Sequence, residues 1–226
     1  DRTGDVGGLA ALALFLAVRA AIRAHISAAG HADPTEARAY LSLALDVIQP
    51  TQPRRVALVG PSGSGKTTLA YALAPGLGAA PGARVVRSDV IRKRLAGVAP
   101  ETRLPASAYG KASAARVYAA MNDEARAALA SGYTVILDAV FADPAERKTA
   151  SRLAEAAGVP FAGLWLEAPG TIMEQRIAGR TGDASDADLD VLRRQLSYDV
   201  GAIDWTRIDS TAEAAVRAAR ESIASE

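Results

Sequence analysis

The stretch Gly60-Pro61-Ser62-Gly63-Ser64-Gly65-Lys66-Thr67-Thr68 follows directly on the apolar run Val56-Ala57-Leu58-Val59. It fits G-x-x-x-x-G-K-[ST], a pattern in which main-chain N–H groups turn inward around a phosphate. Gly60, Gly63 and Gly65 lack the Cβ atoms that would obstruct those backbone angles. Lys66 can reach the β- and γ-phosphates of a triphosphate, and Thr67 can offer its hydroxyl to Mg²⁺. A helix starting at Lys66 would point its first amides and its dipole at the anion. Residues 60–68 are therefore assigned to ATP binding, with Lys66 also counted among the catalytic groups.

Three further sites could act on that triphosphate. Asp89 and Arg92 lie in Arg87-Ser88-Asp89-Val90-Ile91-Arg92, after the second apolar run. A carboxylate there can take a proton from an attacking hydroxyl, and an arginine one helical turn later can grip an anionic acceptor. In isolation, Asp-x-x-Arg is a weak signal that reads sooner as a helix cap, and its place after a second strand reverses that. Asp138 closes Val135-Ile136-Leu137-Asp138 and is expected to hold Mg²⁺ through water or to orient the acceptor, a strand-edge turn being the plainer reading. Arg176 and Arg180 are one turn apart, ahead of Gly182-Asp183-Ala184-Ser185-Asp186, and suit a lid near 174–188 that closes over the γ-phosphate. A surface helix with paired arginines is the alternative. For Lys93, Arg94 and Arg103 a solvated helix face is the favoured reading.

Alternating apolar runs and alanine-rich amphipathic segments must position these groups. Strands are expected near 54–59, 84–88, 133–138, 161–166 and 206–209. Helices are expected near 66–74, 89–96, 110–131, 143–157, 170–179, 186–200 and 211–224. This predicts an α/β fold, a five-stranded parallel sheet sandwiched between helices, with the loops at the carboxyl ends of the strands forming the site. Two more helices, 9–29 and 35–48, form an N-terminal helical segment, with Gly30 ending the first and Asp33-Pro34-Thr35 starting the second. The polar stretch Gln49-Pro50-Thr51-Gln52-Pro53 separates a segment 1–49 from a domain 50–226.

Composition narrows the choice of function. With 226 residues, one sizeable α/β domain and a small appendage fit. Lysine and arginine exceed acidic residues by one, which offers no broad positive field for a long nucleic acid, so a small acceptor is favoured. No cysteine is present, which excludes disulfides and thiolate metal sites and suits a reducing cytoplasm. His25 and His31 are too few for a histidine metal site. Arg19 and Arg23 interrupt the apolar stretch from Leu9, and Asp1 and Asp5 stand where a signal peptide would be basic, so a buried helix is expected and no membrane partner. Trp165 and Trp205 are read as packing residues, and Tyr109 as a loop residue. The first residue is Asp1, consistent with a piece of something longer.

On Gly60–Thr67, Asp89-x-x-Arg92, Asp138 and Arg176/Arg180, residues 54–210 resemble the P-loop kinases that include polynucleotide kinases, gluconate kinases and zeta-toxin-like kinases. Ser88–Leu95, Trp165–Pro169, Gly182–Asp188 and Ile203-Asp204-Trp205 give the whole chain a likeness to the C-terminal part of bacterial AAA family ATPases that follow an aminoglycoside phosphotransferase-like domain. The resemblance implies an Mg-ATP-dependent kinase acting on a hydroxyl of a small molecule, with residues 1–49 as the tail of a preceding domain. An acceptor-free ATPase switch and a 5′-hydroxyl polynucleotide kinase stay open as alternatives. Asp138-Ala139 lacks the second acid of ring-forming AAA motors, so no such motor is implied.

Overall fold

A computed structural model describes residues 4–30 and 34–226. His31, Asp33 and Asp1 lie outside the described residues. Five parallel strands, β1 (Arg55–Val59), β2 (Arg84–Arg87), β3 (Val135–Asp138), β4 (Phe161–Glu167) and β5 (Thr206–Asp209), form one sheet in the order β2-β3-β1-β4-β5. The N-terminal helices are α1 (Leu9–Ala29) and α2 (Pro34–Ile48). Those around the sheet are α3 (Lys66–Leu73), α4 (Ser88–Leu95), α5 (Lys111–Ala130), α6 (Pro144–Ala156), α7 (Gly170–Ala178), α8 (Leu189–Leu196) and α9 (Ala215–Ser225).

The period of the strands divides the core. Val56 and Leu58 face one side of β1, where they join Leu69, Leu73, Leu164, Leu166, Ile208 and Ile223 under α3 and α9. Ala57 and Val59 face the other side and join Val86, Ile91, Val117, Met121, Leu137 and Trp165 under α4 and α5. All five residues of β1 are buried, as a central parallel strand covered on both faces requires. Register then fixes the site. Leu58 and Arg87 both pair with Asp138, so the carboxyl ends of β1, β2 and β3 stop at one level.

The elements differ from the sequence expectation in three places. The segment expected to begin a helix at 186 is irregular until Asp188, whose carboxylate caps α8 by accepting from the Val191 N–H at 3.0 Å. Asp186 is drawn away from that helix by Lys93, Tyr109 and the Leu104 N–H. The last helix starts at Ala215, because the Asp209 carboxylate turns the chain by accepting from Thr211 through both N–H and hydroxyl.

The third difference is α1, which is not the buried helix expected. Its small residues Ala17, Ala20 and Ala24 are buried, whereas Leu14, Phe15, Val18, Ile22 and Ile26 are exposed. At 21 residues and a mean hydropathy of 1.8 over its most apolar window, it is long and apolar enough to cross a membrane. Leu9, at its start, packs on the core beneath α5.

Candidate active site

The chain leaves β1 at Gly60 with φ 138° and passes Gly63 at 79° and Gly65 at 89° before entering α3. Close packing as well as dihedral angle demands glycine. A Cβ on Gly60 would stand 2.5 Å from the Leu166 carbonyl oxygen, and one on Gly63 would stand 2.6 Å from that of Met173. The loop is thus pressed between the end of β4 and the first turn of α7. Lys66 folds back along it and donates to the Pro61 carbonyl at 2.8 Å and toward Ser64 Oγ at 3.5 Å. Burial holds the Lys66 ammonium below its ordinary pKa, opposed by Asp138 and Asp89 and reinforced by Arg180 and Arg87.

The Thr67 hydroxyl donates to Asp138 Oδ2 at 2.6 Å. Asp138 is 5% exposed and has Arg87 Nε 3.5 Å away. A hydroxyl and one carboxylate beside a phosphate-binding loop suit Mg²⁺, a hard cation that keeps water and phosphate oxygens as its remaining ligands. Among the described residues no group of three His, Cys, Asp or Glu side chains could hold a metal alone, so the residues fit an ion that arrives with its nucleotide.

Asp89 occupies the first turn of α4, because β2 ends at Arg87 and the helix begins at Ser88. It lines the same cleft, of about 1660 Å³, as Ser62, Gly63, Gly65, Lys66, Thr67, Thr68, Arg92, Asp138, Arg176 and Arg180. Burial pushes its carboxyl above the ordinary aspartate pKa, and Asp138 adds to this. A hydrogen bond from Ser185, with Arg87 and Lys66, works the other way. Arg92 lies with its guanidinium 4.7 Å over the Tyr109 ring and donates to the Ala108 carbonyl at 2.8 Å, while its buried Nε has no hydrogen-bond partner.

The two lid arginines part company. Arg180 stands 3.5 Å from Asp183 and has a buried Nη1 without a hydrogen-bond partner, on the side of the cleft that acts on Lys66. Arg176 instead donates to the Gly63 carbonyl at 3.2 Å and to Ser210 through Oγ at 2.9 Å and the carbonyl at 3.1 Å. Those bonds tie it to the loop and to the residue after β5, on the wall of the same cleft.

In the basic cluster Arg103 is exposed as expected, and Lys93 departs from expectation. Lys93 is not on a solvated face: it is 1% exposed and binds Asp186 at 2.5 Å and the Thr102 carbonyl. Arg94 binds Glu124 at 2.6 Å, a carboxylate it shares with Arg84. Arg103, 71% exposed, reaches Asp188 at 3.0 Å. Lys93–Asp186, Arg103–Asp188 and Arg87–Asp183 at 2.6 Å tie the segment 183–188 to β2, α4 and the loop after it, while Glu124 ties β2 and α4 to α5.

Several residues at this site carried no sequence signal of their own. Arg87 is in the sequence only the residue that opens the Asp89 stretch. Its guanidinium pKa is raised because Asp183 and Asp138 outweigh its burial. Tyr109 donates to Asp186 and lines the cleft, so it is more than a loop residue. Tyr118 and Glu146 line the same cleft, and burial, chiefly, and Asp143 raise the Glu146 pKa. Gln195 reaches from α8 to the loop and accepts from the Ser62 N–H at 2.7 Å. Chain contact made only in three dimensions is the common reason, since no local pattern joins 62 to 195 or 87 to 183. Trp165 is a core residue and Trp205 packs edge-on to Phe161, as packing roles require.

The fold and the loop define an α/β P-loop protein, and the comparisons narrow this. Residues 56–199 match the family model AAA_33, described as an AAA domain, and the chain belongs to that family. It is 30% identical over 213 residues to the Mycobacterium tuberculosis protein Rv2004c and to the Mycobacterium bovis protein Mb2027c, covering 88% of this chain. The chain spans only 42% of the length of those relatives. Among solved structures it is similar in fold to a sugar kinase from Janibacter sp. HTCC2649 at TM-score 0.56, with 21% identity, 76% of this chain and 95% of that one covered. The Sinorhizobium meliloti gluconokinase gives 0.52, 21%, 76% and 93%. The M. tuberculosis APS kinase CysC with AMPPNP and APS gives 0.54, 20%, 77% and 98%.

Proposed function

We propose that the protein is an Mg-ATP-dependent phosphotransferase that moves the γ-phosphate to a hydroxyl of a small-molecule acceptor. The observation that carries this reading is the placement of Asp89, a half-buried carboxylate of raised pKa, in the same cleft as Lys66 of the phosphate-binding loop. A carboxylate there can serve a bound hydroxyl or a water, and transfer measured against acceptor-free hydrolysis separates the two. Asp89 accepts the proton of the attacking hydroxyl as its oxygen bonds to phosphorus, and ADP leaves. Thr67 and Asp138 would hold Mg²⁺, which neutralises charge on the phosphates. Lys66 and Arg180 provide the fixed positive charge for the transferring group.

The pairing of Lys93, Arg94 and Arg103 with carboxylates supports a small acceptor over a 5′-hydroxyl polynucleotide, which needs cations free to meet phosphates. We further read residues 1–49 as the tail of a preceding phosphotransferase-like domain, residues 50–226 as the kinase domain, and the protein as cytoplasmic. The greater length of the relatives and the exposed apolar side of α1 support that division. The test is transfer from γ-labelled ATP across a panel of sugars, sugar acids, nucleosides, amino alcohols and 5′-hydroxyl oligonucleotides, against acceptor-free hydrolysis. Labelled phosphate monoester from one class of small acceptor is expected. Hydrolysis unaffected by every acceptor would overturn the reading.

A further inference from the structure

Gln195 sits on the inner face of α8, half-buried, one turn beyond the fully buried Leu192, where an apolar residue would be the ordinary choice. Its Oε1 accepts from the Ser62 N–H at 2.7 Å. Only the oxygen of a carboxamide can accept from an amide N–H, so this bond also fixes where the NH₂ group is. Among the described residues none accepts a hydrogen bond from that NH₂. Gln195 lines the cleft with Ser62, Gly63, Lys66 and Arg180.

Ser62 also marks which end of the nucleotide this is. Lys66, the side chain that reaches the β- and γ-phosphates in such loops, places its Nζ on the carbonyl of Pro61, the residue just before Ser62. The opposite end of the loop feeds α3 through Gly65. Gln195 therefore stands where the terminal phosphoryl group meets the loop.

We propose that Gln195 is a positioning residue for the γ-phosphate, anchored through Oε1 on Ser62 and donating through Nε2 to a terminal phosphoryl oxygen. It makes α8 part of the triphosphate site and separates ATP from ADP. The inference rests on the reading that this cleft holds a nucleoside triphosphate.

Calorimetric titration of the full chain with ATP and with ADP, each with Mg²⁺, tests it on the wild type, Q195A and Q195E. A donor to a charged oxygen is removed in Q195A, and ATP affinity falls about tenfold while ADP stays within about twofold. Q195E can still accept from Ser62 but sets a carboxylate against the phosphate, so its ATP affinity falls further than that of Q195A, with ADP again little changed. Melting without nucleotide checks that each variant is folded, and the near-isosteric Q195E carries the test if Q195A is not. Equal losses for ATP and ADP, or no loss of ATP in either variant, would overturn the proposal. A wild-type protein that binds neither nucleotide would instead sink the function proposed above.

Discussion

Thr67 on the first turn of α3 donates its hydroxyl to Asp138, the last residue of β3, across 2.6 Å. The bond joins the helix that follows the phosphate-binding loop to the strand beside it, and it holds both oxygens where a divalent cation would use them. With Asp138→Asn one anionic oxygen is lost while the shape is kept. The expected outcome is a 10- to 100-fold rise in the Mg²⁺ concentration for half-maximal turnover, of the order seen when a metal site loses a supporting ligand. Titrating turnover against Mg²⁺ at saturating ATP checks it, and an unchanged requirement would remove Asp138 from the metal site.

Asp89 is expected to oppose stability while serving the reaction. Its folded pKa is raised, so its contribution to folding is favourable below the unfolded aspartate pKa and is lost as pH rises through the folded value. At neutral pH the ionised, desolvated group is a net cost. Asp89→Asn removes that charge and raises the melting temperature at pH 7, by about 2–4 °C for each kcal/mol regained in a chain of this size. The same variant loses about 10²- to 10⁴-fold in transfer, the usual contribution of a general base, with ATP affinity retained. In the wild type, transfer should fall on acidification at a pH above the ordinary aspartate range. Thermal melting beside a pH–rate profile checks both signs; a variant that melts lower and still turns over would refute the assignment.

How far the sequence reached follows from what kind of information each feature needs. Gly60 to Thr68 is a local pattern whose geometry the residues impose on themselves, and the strands around it are short apolar runs with a period that assigns each side chain to a face. Asp89 and Asp138 were legible because strand ends converge in any parallel sheet. Lys93 was misread because its neighbours Arg92 and Arg94 make the segment look solvated, and nothing nearby reveals that Asp186, ninety-three positions on, is its partner. Arg176 lines the cleft, but its bonds to Ser210, thirty-four positions on, are of the kind that no local pattern reveals. In α1, hydropathy gave the helix but could not say that alanines, not the larger residues, turn inward.

Two ion pairs between the lid and the acceptor side differ in burial, and stability should divide them. Lys93 and Asp186 are 1% and 10% exposed at their side chains, whereas Arg103 and Asp188 are 71% and 49% exposed. Lys93→Ala leaves a buried carboxylate without its cation and is expected to cost about 3–5 kcal/mol. Arg103→Ala is expected to cost about 0–1 kcal/mol. Hydrogen exchange should rise across 99–109 and 181–188 together in the first variant and in neither in the second. Denaturant melts with exchange mapped by peptide check this, and equal effects of the two substitutions would show that burial is not what fastens the lid.

Arg176 and Arg180, one helical turn apart, should fail in different ways. Arg180 has an unsatisfied buried Nη1 and faces the cleft near Lys66, so its cation is available to charge that builds on the phosphoryl group during transfer. Arg180→Ala is expected to slow turnover by about 10²- to 10³-fold, the effect of losing one transition-state donor, with ATP affinity changed only a few-fold. Arg176 is committed to Gly63 and Ser210, two fixed points on the wall beside the loop. Its loss loosens that wall whichever nucleotide is bound, so Arg176→Ala should weaken ATP and ADP alike and leave turnover at saturation nearly intact. Steady-state kinetics at saturating acceptor, beside equilibrium binding of both nucleotides, separates the two. If Arg176→Ala lowers turnover as Arg180→Ala does, the hydrogen bonds to Ser210 must break during the reaction and both arginines must close over the phosphate after all.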